Sequence, residues 1–274
     1  MPVSQSDKAD AFAALHQRAE PFVLANAFDG CSARMLASLG FEAVATSSWV
    51  QAAMLGERDG ATTSAEAMTH ARIIVEATDL PVSADLEKGF GDAPEDAAAT
   101  IREAGATGLV GGSIEDATGD PDKPVYDFDY AVHRIEAAVA AARELPFEFT
   151  LTARTENFVH GMTDLDDTIR RLRAFEAAGA DVLMAPGLPS LEAVRTVCGS
   201  LTKPFSFMAG IPGASFTVAE LSQVGVRRIS LGPSLYTHAM TAALDAAREI
   251  KAKGSFGYTE RTSPLGKFDA FLSD

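Results

Sequence analysis

Three short runs concentrate the residue types that do chemistry on small anions: Asp85-Leu-Glu87-Lys88-Gly-Phe-Gly91, Ser113-Ile-Glu115-Asp116 and Arg154-Thr-Glu156-Asn157. Carboxylates gathered this densely repel one another unless a cation sits among them, and an all-oxygen donor set suits Mg2+ or Mn2+ rather than zinc. Arg154 adds the complementary element, a planar fork that grips a carboxylate or phosphonate with two parallel hydrogen bonds. Together they point to a small, oxygen-rich anionic substrate. Asp85, Glu87 and Glu115 are the metal candidates, and Arg154 is the substrate-gripping and catalytic candidate. Each has a structural alternative, because Glu87 reaches Lys88 and Arg154 can simply neutralise Glu115 or Glu156. Asp116 and Glu156 divide evenly between site and structural ion pair.

Thr46-Ser47-Ser48-Trp49 is followed by LGERDG, which carries Asp59. Small hydroxyl residues at a strand end leave backbone N–H groups open to an anionic oxygen, although capping of the next helix accounts for Ser and Thr equally well. Asn26 and Asp29 follow an earlier apolar run, and Asp29 is well placed as the N-cap of a helix beginning near Ser32. His16, His70, His133 and His238 fall on helical stretches as surface or packing residues, whereas His160 lies in the loop after Arg154, within approach of the site. Cys31, Trp49 and Met184 read as packing or pocket wall.

These runs need elements to hold them. Four times a helical stretch ends at a glycine and a short β-rich run follows: SLG-FEAVATSS (38–48), EAG-ATGLVGGS (103–113), EAG-ADVLMAPG (176–187) and QVG-VRRISLGP (223–233). Gly40, Gly105, Gly179 and Gly225 stand where a helix needs a left-handed residue to stop. PFVLANA (21–27), LPVSADL (80–86), FEFTLTAR (147–154) and KPFSFMAG (203–210) bring the strand count to eight. Helical periodicity fills the gaps at 64–78, 94–104, 129–144 and 165–178. The pattern predicts an α/β fold, a (β/α)8 TIM barrel over residues 1–254, with an open sheet as the alternative. Such barrels build their sites at the carboxyl ends of the strands, where the charged runs lie. Residues two apart on a strand share a face, so Asp85 with Glu87, Ser113 with Glu115, and Arg154 with Glu156 should converge. No GxGxxG follows the first strand, which removes the strongest sign of a dinucleotide site. The segment 255–274 lies outside the eight units and carries Phe256, Tyr258, Leu265, Phe268, Phe271 and Leu272, which must dock on their own barrel or on a partner subunit.

With 23 basic and 38 acidic residues, the formal charge is −15. An acidic surface of this kind repels phosphate backbones, so no nucleic-acid partner is expected. The polar N-terminal stretch reads as a first helix and nothing is long and apolar enough to span a bilayer, so no membrane partner is expected either. Two cysteines far apart in sequence imply neither disulfide nor zinc site, in keeping with a cytoplasmic setting.

The motifs NAFDGCSARMLASLGFEAVATSS, ADLEKGFG, GGSIEDATG, ARTENF and ISLGPS, in that order, closely resemble the isocitrate lyase and phosphoenolpyruvate mutase superfamily across about residues 20 to 240. The resemblance implies a Mg2+-dependent barrel enzyme that makes or breaks C–C or P–C bonds beside a carboxylate through an enolate-like species. It implies Asp85 as the direct metal ligand, with Glu87 and Glu115 acting mostly through water, and Arg154 as the substrate grip. Thr46, Ser47 and Ser48 match the stretch that holds the substrate carboxylate, and Asp59 matches an acidic residue at the site's edge. Glu87 replaces the second Asp of the family's Asp-x-Asp pair. Homo-oligomers, commonly tetramers with a C-terminal helix crossing onto a neighbour, are also implied, and the aromatic tail fits that habit.

Two departures narrow the chemistry. The loop after Glu115 reads Asp-Ala-Thr-Gly-Asp-Pro-Asp-Lys-Pro124, with neither the Lys-x-Cys-Gly-His of the family's lyases nor the Lys-Thr-Asn-Ser of its mutases. Lys123 is the one cation of that loop and so its catalytic candidate. Ser206-Phe-Met-Ala also lacks the Asn often found near the seventh strand. The reading that follows is a Mg2+-dependent lyase cleaving a C–C bond of a small 2-oxo or 2-hydroxy carboxylate. The alternatives are a P–C bond enzyme, phosphonomutase or phosphonopyruvate hydrolase, and a barrel that only binds.

Overall fold

The computed structural model describes residues 3–210 and 216–272. Eight parallel strands close on themselves in sequence order: β1 (Phe22–Asn26), β2 (Val44–Ala45), β3 (Val82–Asp85), β4 (Gly111–Glu115), β5 (Thr150–Arg154), β6 (Val182–Met184), β7 (Phe205–Met208) and β8 (Arg228–Ser230). β8 returns to β1 through Phe22 beside Arg228 and Leu24 beside Ser230. All eight expected strands form. β2 is short because Ser47 already N-caps the next helix, α3 (Ser48–Leu55).

Helix α1 (Gln5–His16) lies under the barrel, where Phe12 and Leu15 pack with Phe22, Leu24 and Val110 to seal its amino end. Around the outside run α2 (Gly30–Ser38), α4 (Ser64–Ala77), α5 (Pro94–Thr107), α6 (Phe128–Arg143), α7 (Leu165–Ala177), α8 (Leu191–Ser200) and α9 (Val218–Gln223). Their apolar faces join the outward side chains of the strands in one core that includes Ile74, Ile101, Ile135, Leu172 and Phe175. Four of these helices fall where the 3.6-residue periodicity puts them.

Gly40, Gly179 and Gly225 adopt positive φ at the helix ends, as expected. Gly105 does not. Helix α5 runs through it and stops at Gly108, with φ 101°. A Cβ on Gly105 would meet the Leu145 side chain at 2.8 Å, so this glycine serves close packing of α5 on the segment after α6, and the left-handed stop comes three residues later.

Beyond the barrel, α10 (Ser234–Lys253) carries no buried residue, and a short 3-10 turn (Gly257–Arg261) and α11 (Gly266–Asp269) follow it. Phe256, Leu265 and Leu272 are 61%, 83% and 57% exposed. Arg34 on α2 donates to the carbonyl of Phe271 at 3.4 Å, tethering the end of the tail to its own barrel. Residues 273–274 of the tail lie outside the described residues.

Candidate active site

Asp85 ends β3 at the carboxyl mouth of the barrel and anchors the site. Its backbone N–H donates to Thr46 Oγ1 at 3.1 Å. One carboxylate oxygen accepts from the N–H and the hydroxyl of Ser48, at 3.2 and 3.1 Å, at the positive amino end of α3. The other accepts from Ser113 Oγ and the N–H of Glu87, both at 3.4 Å. The hydroxyl of Ser47 is not spent on a helix cap.

Arg154 ends β5 and gathers three carboxylates. Nη1 lies 3.5 Å from Asp85, Nη2 lies 3.4 Å from Glu115, and Nε bonds Glu156. Burial opposes the guanidinium's charge most strongly, but Glu156, Glu115 and Asp85 outweigh it and raise its pKa well above the ordinary value. Glu115 goes up too. Burial is the main cause, and Glu156, Asp85 and Glu87 add repulsion that Arg154 does not offset.

Glu87 reaches the site by a different route from strand alternation. β3 stops at Asp85, and Glu87 adopts φ 51°, a left-handed conformation that only a surrounding structure can hold on a side chain of this size. The turn aims it at Thr62, whose hydroxyl donates to it at 3.1 Å. Burial, then Asp85 and Asp59, push its pKa to about 7. Thr62 had no sequence signal, since it comes from a loop 25 residues upstream and carries no motif. Asp59, at the solvent edge, is raised by desolvation and by Asp85, with Ser48 opposing.

A cavity of about 190 Å3 opens here, lined by Thr46, Ser47, Ser48, Asp59, Asp85 and Arg154, with Trp49 and Met184 as walls. An outer bay shares Ser48, Asp59 and Arg154 and brings in Glu87, Glu115 and His160. Thus the expected metal, Arg154 and carboxylate-holding residues share one mouth. Lys123 does not join them. The bridge between Ala117 and Val125 closes its loop into a small hairpin, and Lys123 Nζ pairs with Asp127 at 2.5 Å on the exposed side. Its neighbours there are Asp92, Tyr126 and Tyr130.

Several other candidates are tied up in structural contacts, Asn26 while also lining the cavity. Asp116 is buried against Arg171 at 3.1 Å and accepts from Thr155 Oγ1 and the Glu156 N–H, with burial raising its pKa to about 6. Asn26 spans β1, β2 and the end of β8 through the Thr46 carbonyl and the Leu231 N–H. Asp29 caps α2 by accepting from Ser32 N–H at 2.7 Å. No cysteine lines either opening, and burial raises the Cys198 thiol to about 12.

Asp85, Glu115 and Glu156 meet the Arg154 guanidinium, Asp59 and Glu87 stand beside Asp85, and Lys88 is engaged with Asp92 at 2.6 Å. This surplus of negative oxygen is the chemistry of a hard divalent cation. Among the described residues no three acidic, His or Cys side chains stand close enough to form a ready-made cage. Mg2+ keeps several waters and takes only one or two carboxylates directly.

The sequence profile of the phosphoenolpyruvate phosphomutase family matches residues 12–251. An oxaloacetate decarboxylase of Paraburkholderia xenovorans is 30% identical over 243 residues, covering 86% of this chain and 79% of that protein. The crystal structure of a candidate lyase/mutase from Burkholderia cenocepacia J2315 superposes with a TM-score of 0.95 at 47% identity, covering 97% of this chain and 96% of that one. An oxaloacetate acetylhydrolase in complex with its product oxalate gives 0.88 at 27% identity, covering 98% and 95%. The chain belongs to the phosphoenolpyruvate phosphomutase family, in the isocitrate lyase/phosphoenolpyruvate mutase superfamily of enzymes. Its relatives include C–C bond lyases that act on small oxo acids.

Proposed function

We propose that this chain is a Mg2+-dependent lyase that cleaves a C–C bond of a small 2-oxo or 2-hydroxy carboxylate, with decarboxylation of a 2-oxo diacid as its favoured reaction. The carrying observation is Arg154 ringed by carboxylates beside a cavity whose wall is Thr46, Ser47 and Ser48. Asp85, Glu87 and Glu115 would hold the ion, Asp85 directly and the others through water. When bound, Mg2+ would neutralise the acidic cluster and draw electron density from the substrate's 2-oxo group.

The protein's own groups do the rest. With Ser48 bonded to Asp85, the hydroxyls of Ser47 and Thr46 would hold the substrate carboxylate, and Arg154 would grip an oxygen of the reacting end while easing the repulsion between Glu115 and Glu156. Asp59, its pKa raised by burial and then by Asp85, stands at the solvent edge of the cavity. Lys123 would have to leave Asp127 to take part. Cleavage of an isocitrate-like acid needs a proton delivered to the departing carbanion, a service typically worth about 10²–10⁴-fold. Departing CO2 needs none. The match to an oxaloacetate decarboxylase supports the same choice.

Parallel assays with Mg2+ test the proposal: oxaloacetate decarboxylation should exceed glyoxylate release from isocitrate or methylisocitrate. EDTA and Asp85→Ala should each abolish it, the variant keeping its circular dichroism. Brisk isocitrate cleavage without action on 2-oxo diacids, or turnover of phosphonopyruvate alone, would replace the decarboxylase reading by a different family chemistry. Full activity in EDTA would remove the metal.

A further inference from the structure

Arg228 on β8 is 3% exposed and points into the barrel. Its partners are all neutral. Nε donates to Ser206 Oγ and Nη2 to Thr152 Oγ1, each at 2.9 Å. Nη1 faces His16 Nε2 at 3.5 Å. His16 Nδ1 lies 2.8 Å from the Phe12 carbonyl, so Nδ1 carries the hydrogen and Nε2 presents a lone pair to Arg228. Burial, followed by Arg228, holds this imidazole neutral. A guanidinium has five N–H donors and three are used, which leaves two without a partner.

Of the other arginines set into the protein, Arg154 has three carboxylates and Arg171 has Asp116 and Asp167, while Arg134 has no carboxylate in contact but binds the carbonyls of Lys88, Asp92 and Ala93 outside the cavity. A buried cation without a counter-charge is costly, and such cost is characteristically retained where a ligand supplies the missing charge. Burial lowers the Arg228 pKa to about 9, which still leaves it charged at neutral pH.

Arg228 also lines the cavity that Arg154, Ser48 and Asp85 line at its mouth. Its reach fixes the depth. The guanidinium bonds Thr152, two residues below Arg154 on the same face of β5, an offset of roughly 6.6 Å at the strand rise. The floor is open because most of the inward positions near it are small: Ala45, Ser83 and Ser230, where such barrels commonly place bulky branched residues.

We propose that Arg228 is a specificity-determining residue that receives the second carboxylate of a dicarboxylate substrate at the floor of the cavity, while the first is held at the mouth. A four-carbon diacid contains three C–C bonds of about 1.5 Å. With a hydrogen bond of about 2.8 Å at each end it spans the offset. The carboxylate would accept from the two free N–H groups, turning a lone buried cation into a paired one. This inference rests on the reading of the cavity as the substrate site.

Calorimetric titration with Mg2+ present uses three inert probes: oxalate, which is short enough to report on the mouth alone, succinate, and butyrate, its monocarboxylate counterpart. Succinate should bind at least about tenfold more tightly than butyrate. Arg228→Met should erase that preference while leaving oxalate affinity within about twofold. Equal succinate affinity in the variant and the parent would overturn the proposal and leave Arg228 as a brace between β5, β7 and α1. Failure of oxalate to bind the parent protein would instead sink the functional reading of the mouth. Should Arg228→Met not fold, a crystal of the parent protein soaked in succinate decides: a carboxylate on the Arg228 Nη atoms supports the proposal, and succinate confined to the Arg154 end overturns it.

Discussion

Arg154→Lys keeps the charge and removes the geometry, so it separates the two things this residue supplies. The guanidinium meets Glu156, Asp85 and Glu115 through three different nitrogens, and its side chain is only 15% exposed. An ammonium has one nitrogen and can approach one of these partners closely. Two charge-assisted contacts are therefore weakened, together with the planar fork offered to substrate. A hydrogen bond to a charged group contributes about 1.5–3 kcal/mol net. The contacts at 3.4 and 3.5 Å are long, so the lower edge of that range for a single lost interaction is the conservative figure. That is about 1.5 kcal/mol, a fall in kcat/KM of a little over tenfold, with a larger fall expected if both contacts tighten in the transition state. Steady-state kinetics at saturating Mg2+ on the best 2-oxo diacid would read it, beside a thermal melt. Each kcal/mol of lost stability moves Tm by about 2–4 °C in a chain of this size. A lower Tm with unchanged kcat/KM would refute the substrate role and leave Arg154 as the ion-pair centre of the carboxylate ring.

Two further outcomes are expected. Residues 255–274 and α10 should pack on a second copy of the chain, because past its first turn α10 carries no residue packed on the core and Met240, Leu244 and Phe256 stand 49%, 49% and 61% exposed; sedimentation of a chain ending at Gly254 should show a smaller assembly, whereas an unchanged mass would return the tail to its own barrel through contacts such as Arg34 with Phe271. The pH dependence of stability should carry a His16 signature. Its native pKa is lowered from 6.5 to about 3 by burial first and Arg228 second, so between those values the unfolded chain binds a proton that the native chain does not. Stability from this group is present above pH 6.5 and is lost on acidification, by up to about 1.4 kcal/mol per unit. Against His16→Gln, which does not titrate, the wild type should lose roughly that much between pH 6 and 5 in urea unfolding; a pH-independent difference would mean that His16 is not held neutral.

Much of the architecture was legible because it depends on local rules. Four helices follow a 3.6-residue apolar repeat, and Gly40, Gly179 and Gly225 stop helices because a left-handed residue without Cβ is cheap there. The charged ends of β3, β4 and β5 were visible for the same reason: Asp85, Glu115 and Arg154 are the terminal residues of their strands, so order along the chain already put them at one mouth. Gly105 marks the limit of local reasoning, since its lack of a side chain answers to Leu145, a neighbour in space. Glu87 lies two residues past the end of β3, so a left-handed turn and Thr62 aim it, where the alternation rule no longer applies. Lys123 carries the right charge in the right loop, yet the hairpin closed by Ala117 and Val125 gives it to Asp127. Arg228 is the clearest case. In VRRISL two adjacent arginines alternate like any strand pair, and nothing in the string says which one faces inward. Closure of the barrel decided that, setting Arg228 among Thr152, Ser206 and His16 from three distant parts of the chain, because burial and pairing are properties of assembled surfaces and not of the residues that compose them.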